Sequence, residues 1–160
     1  MGAVAVRAPV VGVVAVGANL GDAKTQVLHA IEALGQLPWS RCLRVSSLYR
    51  TAPFQAQGPD FINAVVLLET SLTAPELLRA LHRLEQAAGR ERPYLNAPRT
   101  LDLDLVSYGD ATVVSPELVL PHPRWHERAF VVCPLQEVAP ERVSATVLAA
   151  VAGQTIERLE

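Results

Sequence analysis

Lysine is almost missing from this chain: Lys24 stands alone, and every other cationic side chain apart from histidine is arginine. Arginine suits a two-point grip on phosphate or carboxylate, although a compositional bias of the lineage accounts for the same count. Cysteine is scarce too. Cys42 and Cys133 lie far apart without a CxxC, which reads as two reduced core thiols. No charge of one sign dominates. The net charge of −2 over 160 residues gives no general drive toward nucleic acid or an anionic membrane. Long apolar runs are lacking, and none reaches the roughly 18 residues that a membrane span requires. The apolar start is interrupted by Arg7 and Pro9 with no basic stretch ahead of it, so it does not read as a signal peptide. Val6 stands where a myristoylation signal wants Ser or Thr. The expectation is a cytoplasmic protein, with no repeat, low-complexity tract or linker.

What is present suffices for a core. Half of the residues are apolar and the mean hydropathy is +0.23, which fits one domain over residues 1–160. Val11–Val16 is short and β-branched, a buried strand. A helix follows from Asp22, a plausible N-cap, with Val27, Ile31 and Leu34 as its stripe and Gly35 at its end. "RCLRVSSLYRT" reads as one strand with Val45, Ser47 and Tyr49 on one face, and "FINAVVLLET" as its antiparallel partner. Thr73–Glu76 is a capping box opening a helix with Leu77, Leu81, Leu84 and Ala88, stopped by Gly89. "TLDLDLV" is a further strand, and a short strand near 111–114 is expected to pair with it across "YGD". A short helix near Trp125–Phe130, another helical stretch into "QEVAP", and a helical or irregular tail complete the chain.

The order β-α-β-β-α-β predicts an α+β fold: a ferredoxin-like split β-α-β antiparallel sheet with two helices on one face, a core over about residues 11–140, and C-terminal additions. A right-handed crossover would set the first and last strands side by side at the centre.

Within that frame Asp102 and Asp104 fall on one face of a strand, roughly 7 Å apart along the chain. Like charges that close need a cation. Mg²⁺ fits: it is hard, takes carboxylate oxygen, and is commonly completed by substrate phosphates. Two such ions can sit astride a transferring phosphoryl group. Arg90, Arg92 and Arg99 lie in a loop punctuated by Gly89, Pro93 and Pro98. They read either as a solvated loop or as a lid closing over polyphosphate. His122 is open to three readings: core, metal ligand or phosphate donor. The His122/His126 spacing would need further ligands to make a zinc site. Arg128 is a second phosphate donor or a surface charge. Phe61 and Asn63 share a strand face, a ring beside a carboxamide that can stack a flat heterocycle and read its edge, with Phe130 as a second ring; alternatively these are core and turn residues. "GANLG" at 17–21 reads as a tight turn backing onto the Asp strand.

Six segments in order, "VAVGANLGD", "SSLYRTAPF", "GPDFINAVVLLET", "LLRALHRLEQAAGRER", "APRTLDLDLVSYG" and "LPHPRWHERAFVVCPLQEVAP", resemble the 6-hydroxymethyl-7,8-dihydropterin pyrophosphokinases of folate synthesis. The resemblance implies transfer of a diphosphate from ATP to the pterin hydroxymethyl group, giving AMP. It implies two Mg²⁺ on Asp102 and Asp104, and Arg90 and Arg99 on the transferring phosphates. His82, Glu85, Arg92, Leu105, His122 and Arg128 would contact ATP. Thr51, Ala52, Phe54, Phe61, Asn63 and Phe130 would form the pterin site. Its partners would be those two small molecules, acting on a monomer with neither nucleic acid nor membrane. Two departures stand out: Asn96-Ala97-Pro98-Arg99 replaces the Trp-Gly-Pro-Arg of many members, and Glu117 stands where some carry a basic residue.

An enzyme rival and a non-enzyme rival, the latter a small-molecule- or RNA-binding module, share the topology. A nucleotidyl-transfer palm domain would normally need more carboxylates and a nucleic-acid surface. An RNA-binding module would show stacking rings where this strand carries Asp102 and Asp104, and an amino-acid-binding regulatory module would have no use for the aspartate pair.

Overall fold

The computed structural model describes residues 8–53, 58–89 and 101–159. The first strand, β1 (Val10–Ala18), leads into α1 (Ala23–Gly35). Asp22 caps that helix by accepting the Thr25 N–H at 3.1 Å, which satisfies one of the orphan donors of its first turn. The chain then runs through β2 (Ser40–Val45), β3 (Tyr49–Thr51) and β4 (Phe61–Thr70) to α2 (Ala74–Gly89). The capping box forms as expected: Glu76 N–H bonds Thr73 Oγ1 at 3.2 Å, and Thr73 N–H bonds Glu76 Oε1 at 2.8 Å. After the Asp-Leu strand β5 (Asp102–Tyr108) come two short strands, β6 (Val113–Val114) and β7 (Val119–Leu120). A 3₁₀ turn at Trp125–Glu127 precedes α3 (Ala129–Val138), and α4 (Ala145–Ala150) and β8 (Ile156–Arg158) close the described chain.

The main sheet runs β5-β1-β4-β3-β8, with β2 also on β4. β1 is antiparallel to both β4 and β5. The first and last strands of the expected order are therefore neighbours, but β5 is not central. One side of β1 is taken by β4, so β5 occupies the other and ends the order among the described residues. Two of its backbone groups are engaged by other parts of the chain. Glu85 of α2 accepts the Leu103 N–H at 2.8 Å, and the His122 N–H donates to the Val106 carbonyl at 2.8 Å. Filling edge donors and acceptors in this way blocks pairing with another chain.

Three other expectations change. "RCLRVSSLYRT" is two strands, because Ser46 enters the ladder with its side chain: Val65 N–H donates to Ser46 Oγ, and Ser46 N–H to the Val65 carbonyl. Ser47 N–H turns instead to the Glu137 carboxylate. The strand near 111–114 pairs with β7, not with the Asp strand. The tail holds a strand as well as a helix, since β8 pairs with β3. The cysteines are free but only half-buried.

Both faces of the sheet are covered, unequally. On one, Val14, Val16, Val66, Leu68, Leu103 and Leu105 pack under α1 and α2 through Val27, Leu34, Leu77 and Leu81. On the other, Val13, Ala15, Val65, Leu67 and Val106 meet Val131, Leu135 and Val138 of α3. This explains the near-continuous apolar runs of β1 and β4, since strands buried on both faces lose the alternation of a half-wet sheet. Helix α3 roofs one end of this second face. Among the described residues, the end carrying Gly17, Asn63 and Asp102 is not roofed in this way.

Candidate active site

The open end is a trough. Across it the register sets Tyr49, Asn63, Gly17 and Asp102 in one row on four adjacent strands. Two residues along β1, Ala15 lies opposite Val65 on one side and Asp104 on the other. Directly opposed residues share a face, so Ala15 and Gly17 form a floor with almost no side chain. Asn63 rises on one side of it, and Asp102 and Asp104 on the other, separated by two strand spacings, about 10 Å. A cavity of about 220 Å³ fills this space. It is lined by Ala15, Val16, Gly17, Thr51, Ala52, Phe61, Asn63, Asp102, Asp104, Arg128 and Phe130.

Eight of the site residues expected from sequence therefore meet in one cavity. Asn63 is 4 % exposed and spends an amide proton on Thr51 Oγ1 at 2.7 Å. That bond fixes the carboxamide orientation. Phe61 stands opposite Thr51 in the β3–β4 ladder. Phe130 comes from the first turn of α3, with the Arg128 guanidinium 5.6 Å from its ring centroid, within cation–π range. The cavity thus has an aromatic and amide end and a carboxylate end, with one arginine at the rim.

Other expected residues are placed differently. Leu105 turns its side chain into the helix-side core, 4 % exposed, and does not line the cavity. Glu85 binds the backbone of β5 as described, and His82 is exposed on α2. His122 does not line the cavity, but it lies close enough to Asp104 to feel its charge. Burial lowers the His122 pKa below the ordinary histidine value; Asp104 pulls it back up, and Arg128 and Arg124 push it down. Its Nδ1 accepts the Arg124 N–H at 3.1 Å, which leaves Nε2 as the atom for a ligand. Phe54, Arg90, Arg92 and Arg99 lie outside the described residues.

Gly17 was expected in a turn and is instead a paired strand residue. A β-carbon there would meet Asn63 Oδ1 at 2.8 Å, closer than real Cβ contacts come. The signal was available: a glycine inside a β-branched run marks close approach of another group.

As a metal site, the pair Asp102 and Asp104 offers oxygen donors on one face, exposed or half-exposed at the mouth of the cavity. Hard carboxylates that leave most of a coordination shell open fit Mg²⁺ completed by phosphate and water better than a caged ion. Among the described residues no group of three or more His, Cys, Asp or Glu side chains is arranged to hold a metal.

A half-roofed sheet with a carboxylate pair at one end of a cleft and an amide-and-ring end opposite has the build of a small-molecule transferase. The family model described as 7,8-dihydro-6-hydroxymethylpterin-pyrophosphokinase matches residues 13–140, and the chain belongs to this family. It is an ATP-dependent pyrophosphokinase family within the transferases. A relative from Synechocystis sp., named 2-amino-4-hydroxy-6-hydroxymethyldihydropteridine pyrophosphokinase, is 41% identical over 92% of this chain and 73% of its own length. A relative of the same name from Pseudomonas aeruginosa is 39% identical over 91% of this chain and 94% of its own. Among solved structures, one described as HPPK-DHPS in complex with substrates superposes with a TM-score of 0.68 at 11% identity. It covers 89% of this chain, which spans 42% of that longer one. At that identity the likeness shows the fold. No helix among the described residues is long and apolar enough to cross a membrane.

Proposed function

We propose that the protein transfers the terminal diphosphate of ATP to the hydroxymethyl group of 6-hydroxymethyl-7,8-dihydropterin, as a step of folate synthesis. The observation that carries this is the polarity of one cavity, with Asn63, Phe61 and Phe130 at one end and Asp102 and Asp104 at the other. The pterin lies between the two rings, which offer stacking surface on both sides. Asn63, pinned by Thr51, reads its edge; Thr51 and Ala52 supply the neighbouring wall, and the backbone of Thr51, Ala52 and Phe54 would contact the pterin. The hydroxymethyl group then points toward the carboxylates.

Asp102 and Asp104 would hold Mg²⁺, which when bound offsets charge on the ATP phosphates. The chain's own groups do the rest. Arg128, at the rim beside Phe130, and His122, near Asp104, donate hydrogen bonds to the phosphates. Arg90, Arg92 and Arg99 supply further positive charge to the transferring group. His82 and Glu85 fall toward the adenosine end, with the backbone of Leu105. The pterin hydroxyl attacks the β-phosphorus in line, the bond from that phosphorus to the oxygen shared with the α-phosphorus breaks, and AMP departs. The hydroxyl proton leaves to solvent, with no covalent enzyme intermediate.

The strand order β5-β1-β4-β3, with α1 and α2 on one face, supports a split β-α-β core carrying α3, α4 and β8 as additions. We read the chain as one domain, acting as a cytoplasmic monomer. The decisive experiment is calorimetric titration of the pterin with and without Mg²⁺ and a non-hydrolysable ATP analogue, together with product analysis. Strong coupling between the two ligands, with AMP as co-product, is the expected result. Release of pyrophosphate from ATP, or no pterin binding, would overturn the reading.

A further inference from the structure

The two aromatic-end walls of the cavity come from distant parts of the chain. One is the β3 end, Thr51 and Ala52; the other is the segment bearing Arg128 and Phe130. Residues 154–158 touch both. Gln154 Oε1 accepts the Ala129 N–H at 2.9 Å, and its Nε2 donates to the Glu127 carbonyl at 2.7 Å. One side chain thereby clamps the peptides on either side of Arg128. Arg128 occupies the N-cap position of α3 and makes no side-chain capping bond, so the Gln154 carboxamide supplies the acceptor that the cap itself does not.

Two residues later the chain joins the sheet. Ile156 pairs with Thr51, Glu157 with Arg50 and Arg158 with Tyr49. The far end is held by side chains: Arg50 to Glu157 at 3.1 Å, Arg158 Nε to Ser47 Oγ at 3.0 Å, and Arg158 to Glu137 at 3.5 Å. The strap is therefore anchored to the strand that carries Thr51 and reaches over to the turn that carries Phe130.

Phe130 packs against the α3-side core on one side only. Among the described residues it also borders a second cavity of about 240 Å³, lined by Ala52, Pro53, Ala129, Gln154 and Thr155 among others. A side chain packed on one side has fewer contacts to define its position than one enclosed all round.

We propose that Gln154 is a positioning residue for the substrate site, setting the separation between the Phe130 wall and the Thr51–Ala52 wall. It lies beyond residues 13–140 that match the family, so the match assigns it no role. The inference rests on the pterin reading of the cavity. Losing the clamp frees the 127–130 segment and lets the ring settle toward the second cavity.

The test uses the whole chain with Gln154→Ala, Phe130→Ala and the double substitution, titrated with 6-hydroxymethyl-7,8-dihydropterin in the presence of Mg²⁺ and a non-hydrolysable ATP analogue. Gln154→Ala is expected to raise the pterin Kd by roughly tenfold, the scale of one or two lost hydrogen bonds. In the Phe130→Ala background the same change should have little further effect, because residues acting as a unit are non-additive. A wild-type Kd for Gln154→Ala, or an equal loss in both backgrounds, would overturn the proposal. Should the alanine variant fold poorly, Gln154→Glu keeps the acceptor for Ala129 and loses the donor to Glu127. It sets a carboxylate oxygen against the Glu127 carbonyl, so it is expected to raise Kd at least as far as the alanine change, and an unchanged Kd would be equally fatal. Absence of pterin binding by the unaltered chain would remove both this inference and the functional reading. Normal binding by it, with unaffected variants, would remove this inference alone.

Discussion

Gly17 and Asn63 face each other across the β1–β4 ladder, and a β-carbon on Gly17 would sit 2.8 Å from Asn63 Oδ1. The glycine is what allows the carboxamide to lie over the sheet beside the Asp102 row. Gly17→Ala should push the Asn63 side chain off its bond to Thr51 and into the cavity. Overpacking of this kind costs about 1–3 kcal/mol. Pterin affinity should fall at least about tenfold, and thermal denaturation should show a lower Tm. Calorimetric titration returning an unchanged pterin Kd would show that the carboxamide has no part in recognition.

Asp102 and Asp104 lie on an edge strand, where charge is tolerated, so their removal should not unfold the chain. Asp104→Ala or Asp102→Ala is expected to cut turnover by about a thousandfold, the effect of losing several kcal/mol of charge stabilisation, with Tm changed by no more than a few degrees. Mg²⁺ titration in the presence of the ATP analogue should lose its saturable phase. A variant that keeps a near-normal Mg²⁺-dependent rate would contradict the metal role.

Thr51 and Asn63 form a buried pair at 2.7 Å. Thr51→Val keeps the shape and removes the acceptor, leaving an amide donor without its partner. The cost of such a group is about 1–3 kcal/mol, and it should appear as a higher pterin KM with kcat less affected. Steady-state kinetics in which kcat alone falls would place Thr51 in the chemical step instead.

These residues differ in how far sequence alone exposes them. The two helices and the strands that flank them were legible because each helix carries its own start signal, Asp22 for one and Thr73 with Glu76 for the other, whereas the division of 40–51 into two strands was not. The shared face of Asp102 and Asp104 followed from strand periodicity, and the strand bore it out. The position of that strand did not follow. Sequence order favours β1 and β5 as neighbours, but whether β5 has a second partner depends on the rest of the sheet. The third layer was written in β1 and β4, whose unbroken apolar runs demand cover on both faces, yet reading it required knowing that α3 folds back over them. The Ser46 interruption and β8 were hidden, because each depends on partners far along the chain: Val65 and Glu137 for the first, Tyr49–Thr51 for the second. Phe54, Arg90, Arg92 and Arg99 lie outside the described residues, so their roles remain proposals that rest on the resemblance.

Thr73→Ala separates stability from function. The capping box lies at the start of α2, on the helix side of the sheet and away from the cavity, so its loss should cost about 1 kcal/mol while kcat and both KM values stay within twofold. An activity loss out of proportion to the Tm shift would mean that α2 transmits more to the site than support.

Glu137 contributes to the acid limb of stability. Its carboxylate accepts Tyr49 O–H at 2.7 Å and Ser47 N–H and Oγ–H at 3.0 Å, with Arg158 at 3.5 Å. Burial alone would raise its pKa. The bonds from Tyr49 and Ser47 and the Arg158 charge outweigh that and hold it below the ordinary value of 4.5. A carboxyl whose folded pKa is depressed contributes stability that is fully present above the unfolded pKa and lost as pH falls through the folded one. The Tm of the unaltered chain should therefore drop on acidification below about pH 4.5, and Glu137→Gln should start lower at neutral pH but lose less over the same interval. Tyr49 is the alkaline counterpart: burial first, then its bond to Glu137, push its hydroxyl above the ordinary value of 10.0. The unfolded chain then gives up that proton before the folded one, so stability should fall as pH rises past about 10. Tyr49→Phe should remove that part of the loss. Parallel Tm–pH curves for the unaltered chain and Glu137→Gln would show that the carboxylate's bonds are as available to the unfolded chain as to the folded one.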